Sequence, residues 1–321
     1  MGTFLSSPSF ASTSSSGGER KFVPVMLTPF TDKLEIDFDG LSRLIDFYIA
    51  HGAKGFFANC ASSEMYALTN DERLALVSHV VQRIGGRYPI VATGSFGDTI
   101  EEKADFTKRM YDTGVDAVVF ITSHFAAREE SDDVLKSNFE KYLHATAPIP
   151  LGTYECPSPY KRLLSPELLQ HLVATGRLIY HKDTALDQEK VGAKLEAIRG
   201  SRLEFYDAHT PNTLYSLRKG ARGMSCIAGN FYPEIFAWMC RHFSDEGRVQ
   251  DAEWLQTELT RADRIISGGY SLSAKYFLNK RGLRLTINSR TKRMPLTSEQ
   301  CAALDQLAVD VSGWSERLGI G

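Results

Sequence analysis

A lysine closes the apolar run RLIYHK at residues 177–182, and Asp183 follows it at once before a helical pattern resumes. Burying an ammonium at a strand end is costly unless the group is paired or loses its proton. A buried lysine that loses its proton becomes a nucleophilic amine able to form an imine with a carbonyl. Lys182 is read as that amine. The stretch alone also fits a lysine that runs past the strand end to solvent, or one that pairs with Asp183.

The elements around it narrow the choice. From Lys21 onward, short apolar runs alternate with amphipathic helical stretches, giving eight strand and helix pairs. The strands are expected near 22–27, 55–59, 89–93, 116–121, 149–154, 177–182, 202–207 and 222–227. Capping boxes pair Thr69 with Glu72 and Thr99 with Glu102, while Ser165-Pro166 and Thr210-Pro211 each place a cap before an N1 proline. Strands this continuously apolar suit a parallel sheet covered by helices on its outer face. The expectation is an α/β protein with a (β/α)8 TIM barrel over 21–244. A doubly wound open sheet is the alternative, but no Gly-x-Gly-x-x-Gly turn follows the first strand. Beyond 244 the pattern becomes helical only, near 246–265, 270–281 and 297–316. Residues 245–321 are therefore a C-terminal helical extension, packed on the barrel or on a neighbouring subunit.

In a barrel, the residues at the C-terminal ends of the strands meet around one pocket. Strand two ends in Cys60-Ala61-Ser62-Ser63-Glu64, strand four in Thr122-Ser123-His124-Phe125, strand five in Tyr154-Glu155-Cys156-Pro157, strand six in Lys182-Asp183, and strand seven in Asp207-Ala208-His209. Tyr154 and Lys182 become neighbours.

These strand ends resemble those of the dihydrodipicolinate synthase and N-acetylneuraminate lyase family, class I Schiff-base aldolases and lyases built on a (β/α)8 barrel. The resemblance runs from about Val23 to Arg293. It rests on Thr28-Pro29-Phe30, the Glu64 loop with Leu68-Thr69-x-x-Glu72-Arg73, Tyr154-x-x-Pro157, Lys182-Asp183, and Ser225 through Asn230 to Pro233. It implies that Lys182 forms an imine with the ketone of pyruvate or another 2-oxo acid, and that Tyr154 relays protons at the reacting carbons. It also implies that the acid's carboxylate lies against Ala61, Ser62 and Ser63, and that Ser225 faces the substrate. Members are commonly tetramers built from dimers, so a homo-oligomer, dimer or tetramer, is expected by analogy.

Three departures bear on the substrate. Ala61 removes one hydroxyl from the carboxylate loop, with Ser63 as a possible substitute. Phe125 falls at or beside the place where the synthases carry a tyrosine that reaches across a dimer interface. Pro159 stands where they carry an arginine for the aldehyde's carboxylate, although Lys161 and Arg162 follow. Glu155, Asp207, His124, His181 and His209 instead offer polar groups to a polyhydroxylated chain. Glu64 is expected to hold its loop by hydrogen bonds.

The leading expectation is a lyase or aldolase acting on a 2-oxo-3-deoxy sugar acid, with pyruvate and an aldehyde as the partners. A dehydratase or a dihydrodipicolinate synthase-like condensation would use the same imine, and a barrel that binds a metabolite without turnover belongs to another class. No cofactor is expected, and no His/Asp/Glu set at ligand spacing suggests a metal. A formal net charge of -2 argues against nucleic acid, and no apolar run has the length of a membrane span. Five widely spaced cysteines in no zinc or CxxC pattern suggest reduced thiols and a cytoplasmic setting. Residues 1–20 are rich in Ser and Gly and expected to be disordered. Gly2 and Ser6 there fit a myristoylation pattern short enough to arise by chance.

Overall fold

A computed structural model describes residues 18–292 and 294–321. The expected disordered segment and its myristoylation pattern therefore lie almost wholly outside the described residues. Eight parallel strands follow one another around a barrel: β1 (Lys21–Phe22), β2 (Phe56–Phe57), β3 (Ile90–Thr93) and β4 (Ala117–Ile121), then β5 (Leu151–Tyr154), β6 (Leu178–Asp183), β7 (Glu204–Asp207) and β8 (Gly223–Met224). The sheet runs in the order β1-β8-β7-β6-β5-β4-β3-β2. Closure between its two ends comes from a parallel bridge at Val25 and Phe57, with Phe57 N–H donating to Pro24 at 3.0 Å and Met26 N–H to Phe57 at 3.1 Å. β1 is shorter than expected because Pro24 has no N–H to give the ladder.

The outer ring consists of α1 (Phe38–Ala50), α2 (Asn70–Ile84), α3 (Ile100–Tyr111), α4 (Asp132–Ala145), α5 (Pro166–Ala174), α6 (Gln188–Ala197), α7 (Thr213–Lys219) and α8 (Pro233–His242). Thr69 with Glu72 and Thr99 with Glu102 close their capping boxes, and Ser165 caps α5 ahead of Pro166. Thr210 is different. A short 3-10 turn (Thr210–Asn212) intervenes, and α7 begins only at Thr213. Its exposed amide end is served from another helix, because Gln256 Oε1 accepts from Leu214 N–H at 2.8 Å. A tertiary contact has replaced the local cap.

Side chains alternate between the barrel interior and the helix layer, as the two-residue period of a strand requires. Tyr180 and Tyr206 stack in the interior with centroids 5.0 Å apart, and Phe57 meets Tyr180 edge-on at 5.8 Å. A side chain at Gly152 would come within 3.0 Å of Tyr180 Cβ, so this glycine makes room for the tyrosine. At the bottom, Glu204 receives Lys21 at 2.9 Å, Arg222 at 3.2 Å and the Tyr206 hydroxyl at 2.6 Å. The interior is thus plugged by an aromatic layer, and the open end lies where the strands finish.

After β8 come α9 (Val249–Ser267), α10 (Leu272–Lys280) and α11 (Ser298–Leu318). They pack on the barrel of their own chain, with Trp314 edge-on to Tyr232 at 5.7 Å and Gln256 seated on α7. Among the described residues, no helix is long and apolar enough to cross a membrane, and all five cysteines are free.

Candidate active site

Lys182 on β6 sits directly opposite Tyr154 on β5 in the parallel ladder. Both side chains point inward, and the Lys182 Nζ lies 4.4 Å from the centroid of the Tyr154 ring and 5.6 Å from that of Phe57. Lys182 is 4% exposed, and no carboxylate lies within ion-pair distance of it among the described residues. Asp183 cannot serve, because consecutive strand residues face opposite sides and its carboxylate is held by Lys194 at 2.6 Å. Burial without a counter-charge pushes the Lys182 pKa down and enlarges the fraction of free amine. Burial acts the other way on Tyr154, holding its phenol well above the ordinary value and so protonated.

The loop after β2 forms a 3-10 turn at Ala61–Ser63, followed by Glu64 in the left-handed region with φ of 57°. The first amides of such a turn have no partner within it and can receive a carboxylate. Ala61 is exposed at the mouth. Ser62 is buried. Tyr270, which precedes α10, accepts from Asn230 Nδ2 at 2.5 Å, and Asn230 is bonded to the hydroxyl of Tyr48. Ser63 does not replace the missing hydroxyl. Its Oγ reaches the carbonyls of Met26 at 2.7 Å and Ala58 at 3.0 Å, and accepts from Cys60 N–H, so it is fully spent on the backbone.

Glu64 anchors the loop as expected. Its carboxylate accepts from Ser289 Oγ at 2.9 Å, from the amides of Arg290 at 2.8 Å and Thr291 at 3.0 Å, and from Ser271 Oγ at 3.1 Å. The C-terminal extension therefore fixes the shape of the β2 loop.

Glu155 and Asp207 are placed away from the pocket, contrary to expectation. Both are 0% exposed and lie on the helix side of the sheet. The period of two explains it: with Tyr154 inward, Glu155 must face outward. Lys194 of α6 donates to Glu155 at 2.5 Å and to Asp183 at 2.6 Å, and Asp207 accepts from Ser216 Oγ of α7 at 2.6 Å. Burial and the nearby Asp183 push the Glu155 pKa up, and they raise that of Asp207 to about 7. Glu155, His181 and Asp183 stand close enough to hold a metal ion. The Lys194 ammonium already bonds both carboxylates there, so the set does not fit a metal site. Ser225 lies inside the barrel with the Tyr180 hydroxyl 3.3 Å from its Oγ.

The rim holds residues that sequence reasoning passed over. Tyr66, in the 3-10 turn Met65–Ala67, bonds His124 Nε2 at 2.9 Å and the Ser158 carbonyl at 2.7 Å. An aromatic within a run of small loop residues was the available signal. Lys194 was also legible, as a lysine on the apolar face of α6 marked by Val191, Leu195 and Ile198. Phe125 is 3% exposed and packs on Phe120 and Tyr142. Arg162 is tied to Asp132 at 2.7 Å and to the Glu130 carbonyl at 2.9 Å, away from the lysine. Lys161 is exposed and donates to the Thr184 carbonyl at 2.8 Å, beside the end of β6.

The model of the dihydrodipicolinate synthetase family matches residues 19–312. The 4-hydroxy-tetrahydrodipicolinate synthase of Bacillus subtilis (strain 168) is 25% identical over 280 residues, covering 87% of this chain and 94% of the relative. The enzyme of the same name from Shewanella sp. (strain ANA-3) is 26% identical over 292 residues, 88% of this chain and 94% of that one. Among solved structures, the prophage protein YagE from E. coli K12, in complex with pyruvate, superposes with a TM-score of 0.82 at 20% identity over 91% of this chain and 98% of its own. The pyruvate complex of dihydrodipicolinate synthase from Acinetobacter baumannii gives 0.80 at 21% identity over 92% and 99%. With its barrel, its strand-end lysine and a match over nearly its whole length, this chain belongs to the dihydrodipicolinate synthase family of class I, Schiff-base-forming aldolases and lyases.

Proposed function

We propose that this enzyme condenses Lys182 with the ketone of pyruvate or a closely related 2-oxo acid, and that it makes or cleaves the carbon–carbon bond at C3 of that acid. The observation that carries the reading is a buried amine with no carboxylate partner among the described residues, facing the ring of Tyr154 on the adjacent strand. Attack by the amine expels the ketone oxygen as water and leaves a protonated imine. In the cleavage direction, Tyr154 has given its proton to the departing ketone oxygen; the C3–C4 bond then breaks, its electron pair passes into the enamine, and the C4 hydroxyl proton moves to the Tyr154 oxygen as the aldehyde departs. Tyr154 then supplies a proton to C3, and water releases pyruvate. The pyruvate complexes of two structural neighbours support the choice of acid.

For the other partner we favour a 2-oxo-3-deoxy sugar acid. An aldehyde with its own carboxylate calls for a fixed guanidinium, yet Pro159 occupies the turn after β5 and Arg162 is committed to Asp132 and main-chain carbonyls. Ser62 and Tyr66 carry hydroxyls, which can meet neutral substrate hydroxyls as donors or acceptors. The names of the two curated relatives favour a second reading, condensation of pyruvate with aspartate semialdehyde. Lys161, exposed beside β6, would have to supply the cation for it.

Coupled assays on the purified protein separate the two. Pyruvate release from a 2-oxo-3-deoxy sugar acid should exceed condensation with aspartate semialdehyde. Efficient condensation with no release from any sugar acid would overturn the substrate while leaving the imine standing.

A further inference from the structure

We propose that Tyr270, carried to the mouth of the barrel by the C-terminal extension, gives its phenolic proton to the carboxylate of the bound 2-oxo acid, and so takes the place of the hydroxyl that Ala61 removes from the loop after β2. The inference rests on the imine chemistry proposed above and names a further residue that fixes the acid for it.

Two anchors set where the phenol lies. Asn230 ends the 3-10 turn Ile227–Asn230 that follows β8, and its Nδ2 is 2.5 Å from the Tyr270 oxygen. Ser271, the next residue, donates from its Oγ to Glu64 at 3.1 Å, on the loop that carries Ala61 and Ser62. Tyr270 therefore joins the segments that leave β8 and β2, the two strands flanking β1, at the end of the barrel where the strands finish. Its side chain is half-buried there.

The sense of the hydrogen bond follows from its neighbours. The same Nδ2 lies 2.9 Å from the Val25 carbonyl, which can only accept, so this atom is the amide nitrogen and Oδ1 is the atom that accepts from the Tyr48 hydroxyl. An amide nitrogen carries two hydrogens; here one goes to Val25 and the other to Tyr270. The phenol oxygen is thus the acceptor in this bond, and its own proton is left for another group. Asn230 and Tyr48 are both 0% exposed, so packing holds the arrangement in place. Burial pushes the Tyr270 pKa up, and the phenol keeps its proton at neutral pH. Accepting from Asn230 polarises the phenol and strengthens the bond it gives, and a bond given to a carboxylate is among the stronger kinds. Ser62, the amides of the 3-10 turn and Tyr270 then enclose the acid's carboxylate from the loop side and from the extension.

Borohydride trapping over a series of pyruvate concentrations, read by intact mass on the full-length protein, separates binding of the acid from formation of the imine. In Tyr270→Phe the ring still packs against Phe231, whose centroid is 6.4 Å away, and only the hydroxyl is gone. The half-saturating pyruvate concentration should rise about tenfold, while the yield at saturation stays at the wild-type level. Ala61→Ser added to that variant returns a hydroxyl to the loop and should bring half-saturation back down by about threefold or more. A half-saturation unchanged by Tyr270→Phe, or a lower yield at every concentration with the same half-saturation, would overturn the assignment, as would a double variant no better than the single one. Should Tyr270→Phe not fold, 3-fluorotyrosine at position 270 keeps the hydroxyl, and its 19F resonance should shift when pyruvate is added; an unmoved resonance overturns the contact. Wild-type protein that traps no pyruvate removes the imine reading together with the contact, and the wild-type arm alone reveals it.

Discussion

Tyr154 and Lys182 occupy the same rung of the β5–β6 ladder, and the lysine ammonium lies 4.4 Å from the centre of the tyrosine ring. This relationship puts a nucleophile and a proton carrier on rigid neighbouring strands, so their distance does not depend on a loop. An ammonium over a ring face is favourable. Burial nevertheless lowers the lysine pKa, because no carboxylate among the described residues compensates for the lost hydration.

The first consequence concerns Lys182 itself. Pyruvate with borohydride should add a permanent adduct at this residue, since reduction converts the imine to a secondary amine. Lys182→Ala should add nothing. Equal yield from the variant, measured by intact mass, would transfer the role to another lysine.

Tyr154→Phe keeps the ring against Phe57, whose centroid is 5.6 Å away, and removes only the hydroxyl. Turnover should fall by about 100-fold or more, the usual scale for general acid–base catalysis, while trapping at Lys182 continues. Near-wild-type turnover would reduce Tyr154 to a packing residue.

Much of this arrangement was legible in the sequence. Eight apolar runs with caps between them fixed the barrel, and Tyr154 and Lys182 emerged because barrel strands end around one pocket. The two-residue period was underused: a Tyr154 that faces inward already sends Glu155 outward, and an inward Lys182 does the same to Asp183. Ser63 was misjudged for another reason. Its hydroxyl is consumed by the Met26 and Ala58 carbonyls, and the first of these lies 37 residues away on another strand end, where spacing cannot reveal it. The capture of Glu64 by residues 289–291 is likewise a contact across more than 200 positions, visible only once the extension has folded back.

Lys194 gives a test of the buried polar layer behind the pocket. It is 2% exposed and bonds two carboxylates that are themselves 0% exposed. Lys194→Met removes the cation between them and should cost about 3–5 kcal/mol of stability at neutral pH by chemical denaturation. Without that cation the Glu155 pKa, already raised by burial, climbs further, and Asp183 loses one of the groups that hold its own pKa down, a change whose stabilising effect is present at low pH and lost as pH rises. The deficit should therefore shrink on acidification. A loss that is small, or independent of pH, would mean that Glu155 and Asp183 are satisfied by other groups.

The Glu72–Arg290 pair links α2 to the C-terminal extension and should govern acid stability. Arg290 donates to both carboxylate oxygens, at 2.8 and 2.7 Å, and Glu72 also accepts from Thr69 N–H at 2.9 Å in the capping box. The Arg290 hydrogen bonds hold the Glu72 pKa at about 2, against the ordinary 4.5. A carboxylate whose pKa is depressed by folding contributes stability that is complete above the unfolded value and lost as pH falls through the folded one. The window is thus from about pH 4.5 down to about pH 2. Glu72→Gln preserves the capping box, because glutamine serves at that position, and removes only the charge. Wild type should melt about 1–3 °C above this variant at pH 6, given the partial exposure of both side chains. The difference should narrow through pH 4 and 3 and vanish near pH 2, as read by thermal melts at matched ionic strength. A gap that stays constant down to pH 2 would show that the substitution acts through packing or the cap rather than through the ion pair.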